Sequence, residues 1–401
     1  MKNSVSVFKK MIFLVLISAC SCNTIQKKLS KISIIDYGSL ENQKSKIKKG
    51  DKKAFENYNL LLNQADTILK IPFFSVTNKI GIPPSKNKHD YMSIGPYWWS
   101  NPNTEDGLPY IRKDGEINPE TRNNFTDYIE KSNFISAIKI LTKTYYYSNE
   151  QKYGEKGIQL IKAWFLEDET KMNPNVNFGQ YVPGRSEGRC FGILETLGFV
   201  EVLKFLELAK DRTILDKNTE EAMVKWFTEF SSWLQNSELG KEEATRENNH
   251  AVHYDTQLLN ILLYLNRVDF VKEYLSTITK ARVFQQIEPD GSQPRELART
   301  KSYSYTVMNL SGFLELAELG KKVGINLWDM ESKDGRSIKK AYQYMLPYLR
   351  EEKVWKYQQI ADISHAEKKL IANLKHIRNT FKDDAFDMTI ELLNKKNNIK
   401  N

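Results

Sequence analysis

The segment Arg246-Glu247-Asn248-Asn249-His250-Ala251-Val252-His253-Tyr254-Asp255 sets polar and titratable side chains just before a nearly unbroken apolar stretch, Leu258 to Leu265. On a helix, His250, His253 and Tyr254 share one face at i, i+3 and i+4, with Asn249 and His253 on a neighbouring one. Polar groups at the mouth of a buried helix need partners or a function. The segment therefore reads either as a self-satisfied helix start or as a site. A second segment, Glu288 to Tyr305, opens with the turn Pro289-Asp290-Gly291. Arg295, Arg299, Lys301, Tyr303 and Tyr305 then fall within eleven residues. The basic charge balance of the chain favours an anionic partner for such a site. Taken alone, the second also reads as a solvated basic face.

Competing motifs are poor. His250 and His253 lack the Glu of a zinc-protease helix, and no cysteine pair supports zinc, so neither metal nor cofactor is expected. Gly184 to Gly192 lacks the Gly-Lys-Ser/Thr ending of a phosphate loop. No nucleic-acid module is visible, and nucleic acid is not an expected partner.

The elements that must position these residues are helices. Phe134, Ile138, Leu141 and Tyr145 recur at helical spacing. So do Ile193, Leu197, Val200, Leu203 and Leu206, then Met223, Trp226, Phe230 and Trp233, and later Leu310, Phe313 and Ala317. Leu258 to Leu265 is apolar almost all round, apart from Asn260, and predicts an inner helix. No sustained period-two run predicts a large sheet. Two long loops interrupt the rhythm, 82–124 and 173–189, both rich in Pro, Gly and Asn. Loops of this length in a helical domain carry function or are disordered, and the aromatic content of the first argues against disorder.

The first loop also carries His89-Asp90-Tyr91-Met92-Ser93-Ile94-Gly95-Pro96-Tyr97-Trp98-Trp99 and Pro109-Tyr110-Ile111-Arg112-Lys113-Asp114-Gly115, after Pro72-Phe73-Phe74-Ser75-Val76-Thr77. With Asn248-Asn249-His250 and the run Asp290-Gly291…Pro294-Arg295-Glu296-Leu297-Ala298-Arg299…Tyr305, this ordered set resembles the alginate lyase superfamily of polysaccharide lyases over roughly residues 55 to 345. The resemblance implies an all-α fold, an (α/α) toroid or incomplete α/α barrel, and β-elimination on an anionic polyuronate. It carries the family's catalytic roles onto Asn249, His250, Arg299 and Tyr305. The neighbouring Tyr303 is an alternative to Tyr305, or a substrate contact.

Elimination removes the proton on C5 beside the uronate carboxylate, so donors must neutralise that carboxylate and hold the developing enolate. Asn249, His250 and Arg299 suit this. Tyr305 then serves as base and as acid to the leaving O4, with Arg299 expected to draw its pKa down from about 10. For a substrate of opposite C5 configuration, His250 is the alternative base. Tyr97, Trp98 and Trp99 read as a sugar-stacking wall, or as aromatics that pin the loop. Gln180, Arg185 and Arg189 suit hydroxyls and carboxylates, His253 is a further binder or a structural residue, and His89 reads as structural. Two other classes fit less well. A glycoside hydrolase on the same toroid needs two opposed carboxylates, whereas Glu288, Asp290 and Glu296 cluster in one segment. A non-catalytic glycan-binding protein is allowed by the loop aromatics.

The chain has 401 residues, 40% hydrophobic and 11% aromatic, and a net charge of +9, which excludes disordered and disulfide-scaffold classes and favours an anionic partner. At the N-terminus, Lys2, Lys9 and Lys10 precede an apolar run, Met11 to Ile17, and Ile17-Ser18-Ala19-Cys20 resembles a bacterial lipobox. This predicts a signal peptide over 1–19 and a lipid on Cys20 that tethers the protein to a bacterial membrane, in the periplasm or at the cell surface. A lysine-rich linker is expected over 20–53, the helical domain over 54–395, and a polar tail beyond. Cys190 is then the lone cysteine of the body.

Overall fold

Phe134, Ile138, Leu141 and Tyr145 are all buried, and their spacing gives one long helix a single apolar face. The same logic repeats along the chain. In a computed structural model describing residues 32–399 apart from 382, α1 (Tyr37–Lys48) and α2 (Lys52–Leu69) precede a long loop with β1 (Met92–Ile94), β2 (Trp98–Trp99) and β3 (Ile111–Arg112). Then come α3 (Tyr128–Ser148), α4 (Gln151–Phe165), a second loop with β4 (Phe178–Tyr181), α5 (Phe199–Asp211), α6 (Lys217–Asn236) and the short α7 (Glu238–Ala244). The chain continues through α8 (Asn249–Tyr264), α9 (Val268–Tyr274), α10 (Lys280–Gln286), the one-turn α11 (Pro294–Leu297), α12 (Ser302–Val323), α13 (Ile338–Leu349), α14 (Ser364–Ile377) and α15 (Asp384–Ile399).

Helices α3, α5, α8, α12 and α14 pack successively on one another as an inner layer. The intervening α2, α4, α6, α9–α10, α13 and α15 pack outside them, which is the alternation of an (α/α) toroid. Aromatic rings join the layers. Phe134 of α3 stacks on Trp164 of α4 at 4.8 Å, and Phe165 meets Trp226 of α6 edge-on at 4.6 Å. The apolar α8 is buried along nearly its whole length, as an inner helix must be. One rhythm is shorter than its spacing suggests: residues 190–196 form a 3-10 segment, and the α-helix starts at Phe199.

The two long loops are tied together. β1 pairs with β4 in parallel, Met92 opposite Phe178 and Ile94 opposite Tyr181, and β2 pairs antiparallel with β3. Gly179 and Gly192 cross so closely that a Cβ on Gly179 would lie 2.9 Å from the Gly192 Cα. Only glycine permits this approach.

The expected linker differs from the structure. Its residues 37–48 form α1, which Asp36 caps by accepting from the Ser39 N–H at 3.0 Å. The segment is fastened to the body. Ile34 and Ile35 are buried, Glu207 accepts the Ile34 N–H, Lys322 donates to the Ile34 carbonyl, and Tyr146 donates to Glu41. The last helix likewise runs to Ile399, past the expected start of the tail. The signal segment, the lipobox and Cys20 lie outside the described residues. Among those described, no helix is long and apolar enough to cross a membrane.

Candidate active site

The inner helices α8 and α12 both begin at one cleft of about 720 Å³. Asn249 and His250 occupy the first turn of α8, Tyr305 the first turn of α12, and Arg299 the turn between α11 and α12. All four line this cleft. Two helix N-termini directed to one space add positive potential to it.

Each side chain is held from behind. Asn248 offers no side-chain cap to α8. Instead Glu296, buried at 1% exposure, accepts both the Asn249 N–H at 2.6 Å and its Nδ2–H at 2.7 Å. The Asn249 Oδ1 has no partner among the described residues. The His250 Nδ1 lies 2.6 Å from Glu243 Oε1, a fully buried carboxylate. A carboxylate accepts, so Nδ1 carries the hydrogen and Nε2 is left for other work. Asp114 receives Arg299 at 3.1 Å and Thr300 at 3.0 Å. Burial raises the Asp114 pKa, but the bonds from Arg299 and Thr300 outweigh it and hold the carboxyl below its ordinary value. Gly115 allows the contact: its φ is +80°, and a Cβ there would meet Thr300 Oγ1 at 2.5 Å.

The Arg299 guanidinium lies 3.9 Å from the centre of the Tyr305 ring, and the Tyr305 hydroxyl is 2.6 Å from that of Tyr97. Burial pushes the Tyr305 phenol well above its ordinary range, Tyr97 adds to this, and Arg299 offsets only part of it. The expected lowering by Arg299 is therefore present but outweighed, and burial holds the phenol protonated. Arg112, Arg189, Arg246 and Arg295 also line the cleft. Arg189 donates to the Gln180 carbonyl at 3.1 Å and Oε1 at 3.0 Å, and forms no ion pair among the described residues. Burial draws it down to about 10, still cationic at neutral pH. Arg189 and Arg246 flank the Phe191 ring, each 4.6 Å from its centre, and Phe191 in turn packs on His250.

A family model described as alginate lyase matches residues 75–355. The chain belongs to the alginate lyase family. An alginate lyase from Bacteroides ovatus is similar at 34% identity and a TM-score of 0.83, over 89% of this chain and 94% of that one. Alginate lyase A1-III from Sphingomonas species A1 shares the fold at 16% identity and a TM-score of 0.55, over 88% of this chain and 90% of that one. A histidine-to-alanine variant of A1-III complexed with a tetrasaccharide gives 15% identity and 0.57, over 88% and 89%. Comparison with curated proteins gave no match. This alginate lyase family member is a polysaccharide lyase on an (α/α) toroid.

The structure distributes the other expected residues unevenly. Tyr97, Trp98 and Gln180 line the cleft. Trp99 does not; its Nε1 donates to the Glu116 carbonyl and Lys113 covers its ring, so it pins the loop. Arg185 donates to the Tyr110 carbonyl beside the cleft, 5.4 Å from the Trp98 ring. His253 and Tyr303 are buried at 7% and 2% exposure, outside the cleft lining, and Tyr303 packs on Trp355. Such positions suit support rather than contact with a polymer. His89 is structural, its Nδ1 bonded to the Lys171 carbonyl. Tyr254 and Asp255 belong to internal networks with Leu234 and Arg282.

Sequence reasoning missed Glu243 and Asp114, and weighed Glu296 only as a carboxylate of the less favoured hydrolase. Glu296 and Asp114 stand inside the motif runs Pro294–Arg299 and Pro109–Gly115. Glu243 gives no such signal, because the helical spacing to His250 is broken between α7 and α8. Among the described residues no group of His, Cys, Asp or Glu is arranged to hold a metal.

Proposed function

We propose that this lyase cleaves a polyuronate, of the polymannuronate or polyglucuronate type, by β-elimination. The observation that carries the reading is the meeting of Asn249, His250, Arg299 and Tyr305 in one arginine-lined cleft. The arginines and helix N-termini attract the polymer, and Arg189 and Arg246 suit carboxylates. Asn249, oriented by Glu296, and His250, oriented by Glu243, neutralise the uronate carboxylate at the cleaved site. Tyr305 as phenolate takes the C5 proton, the C4–O4 bond breaks as the C4–C5 double bond forms, and the phenol returns that proton to O4. The cycle regenerates the phenolate. Mannuronate and glucuronate share configuration at C4 and C5, so one syn elimination serves both. For the opposite C5 configuration, the free Nε2 of His250 is the candidate base.

Hydrolysis is disfavoured by the carboxylates. Glu288 pairs with Arg336, Glu296 is engaged by Asn249, and the one acid of the cleft lining, Glu247, pairs with Arg295. No opposed pair faces the cleft.

The test is ultraviolet absorbance of unsaturated product on a panel of pure polyuronates. Tyr305→Phe is expected to lower kcat by about 10²–10⁴-fold with little change in KM. Because burial holds the phenol protonated, activity of the parent rises with pH above neutrality. Folded parent protein that yields reducing ends without the unsaturated chromophore would overturn the assignment.

A further inference from the structure

Away from the cleft, α1, α2 and α3 enclose a second groove of about 520 Å³ that shares no lining residue with the catalytic one. Its walls carry Lys46 and Asn42 from α1, Asn57 and Tyr58 from α2, and Lys143 and Tyr147 from α3. None of these six side chains makes a hydrogen bond or ion pair to another described residue. Polar neighbours on the same helices are paired: Glu41 of α1 accepts from Tyr146 of α3, and Asp66 of α2 accepts from Tyr153 of α4. The groove thus gathers two exposed ammonium groups, two exposed amides and two half-buried phenols in one place.

Lys143 is the most telling. Burial lowers its pKa, Lys139 lowers it further, and the acid nearest in effect, Glu201, is already paired with Lys204 at 2.9 Å. Lys143 is solvent-exposed on the groove wall, where an anion seated beside its ammonium would gain a charge-assisted contact. Tyr58 and Tyr147 meet edge-on at 6.4 Å and 78°, forming an aromatic corner against which a sugar ring can lie. Lys46, Lys48, Lys49, Lys52 and Lys53 crowd the α1–α2 turn, while Asp51 is spent capping α2. Residues 37–48 of the stretch that reads as a lysine-rich linker form α1, one wall of this groove.

We propose that the groove between α1, α2 and α3 is a second, non-catalytic binding site for an acidic saccharide segment, which holds the polymer to the enzyme while another stretch occupies the cleft. Lysines for carboxylates, amides for hydroxyls and an aromatic corner for a ring face are the chemistry such a segment requires. The proposal rests on the reading of the substrate as an acidic polysaccharide.

The test uses the full chain with Tyr305→Phe, which prevents turnover, in affinity electrophoresis through polymannuronate and polyglucuronate gels. Tyr58→Ala and Lys143→Gln, each checked for an unchanged melting temperature, are expected to weaken retention about three- to tenfold. With Tyr305 intact, the same variants should digest a uronate trisaccharide within about twofold of the parent's kcat/KM. Lys46→Gln is the second lysine variant should Lys143→Gln fail to fold. Retention unchanged in all groove variants but lost in Arg189→Ala would overturn the proposal, since all binding would then lie in the cleft. Loss with the lysine variants alone would also overturn it, as diffuse charge attraction. Binding of the parent to phosphatidylglycerol vesicles, lost in the variants while polymer retention is unchanged, would overturn it in favour of a membrane contact. Should the parent cleave no polyuronate, the proposed lyase substrate fails, yet retention of the Tyr305→Phe chain and its loss in the groove variants still report on this site.

Discussion

His250 keeps its Nδ1 hydrogen on Glu243, and Asn249 keeps its amide on Glu296. These two cleft-lining side chains are thus fixed by two buried carboxylates that lie outside the lining. Replacing Glu243 by Gln removes a charge-assisted bond of about 1.5–3 kcal/mol and frees the ring to flip or change tautomer. The expected outcome is a loss of about ten- to a hundredfold in kcat, with KM nearly constant and the alkaline rise of the pH–rate profile displaced. Steady-state kinetics across pH, with a melting curve to confirm folding, check it. The residues in front were legible, because Asn249, His250, Arg299 and Tyr305 sit in runs with recognisable order. Those behind were not, because Glu243 reaches His250 only after the chain breaks helix and turns back.

At the scale of elements, the strong amphipathic rhythm of α3 and the apolar run of α8 were readable directly, since burial dictates both. The first helix was not. None of the α1 residues is fully buried, and its place is set by the Asp36 cap and by contacts with residues a hundred positions away. The strands were equally hidden: two to four residues long, β1 and β4 pair only because two distant loops meet, and β2 and β3 pair within the first loop. The glycine crossing that lets them meet offers a test. Gly179→Ala sets a methyl against backbone at Gly192 and is expected to destabilise by about 1–3 kcal/mol. It should also raise KM, because neighbouring Gln180 and Arg189 shift with the wall. Denaturant unfolding and kinetics on the polymer measure the two effects.

At the scale of the whole molecule, His253 links stability to acidity. Burial first, and then His250, lower its pKa from 6.5 to about 4. The unfolded chain therefore binds a proton in this window that the folded one refuses. Stability contributed by the neutral ring is complete above about pH 6.5 and lost as pH falls through about 4, about 3 kcal/mol in all. Unfolding curves from pH 7 to 4 should show this decline, and His253→Gln should flatten it. The β1–β4 pairing has a consequence for the order of assembly. It closes a chain loop that contains all of α3 and α4, so the entropy of that closure is met before the wall around Gln180 exists. The wall is therefore expected to form late and to open early. A saccharide bound across Trp98 and Arg189 would clip that seam, and amide hydrogen exchange in 92–99 and 178–189 is expected to slow in its presence.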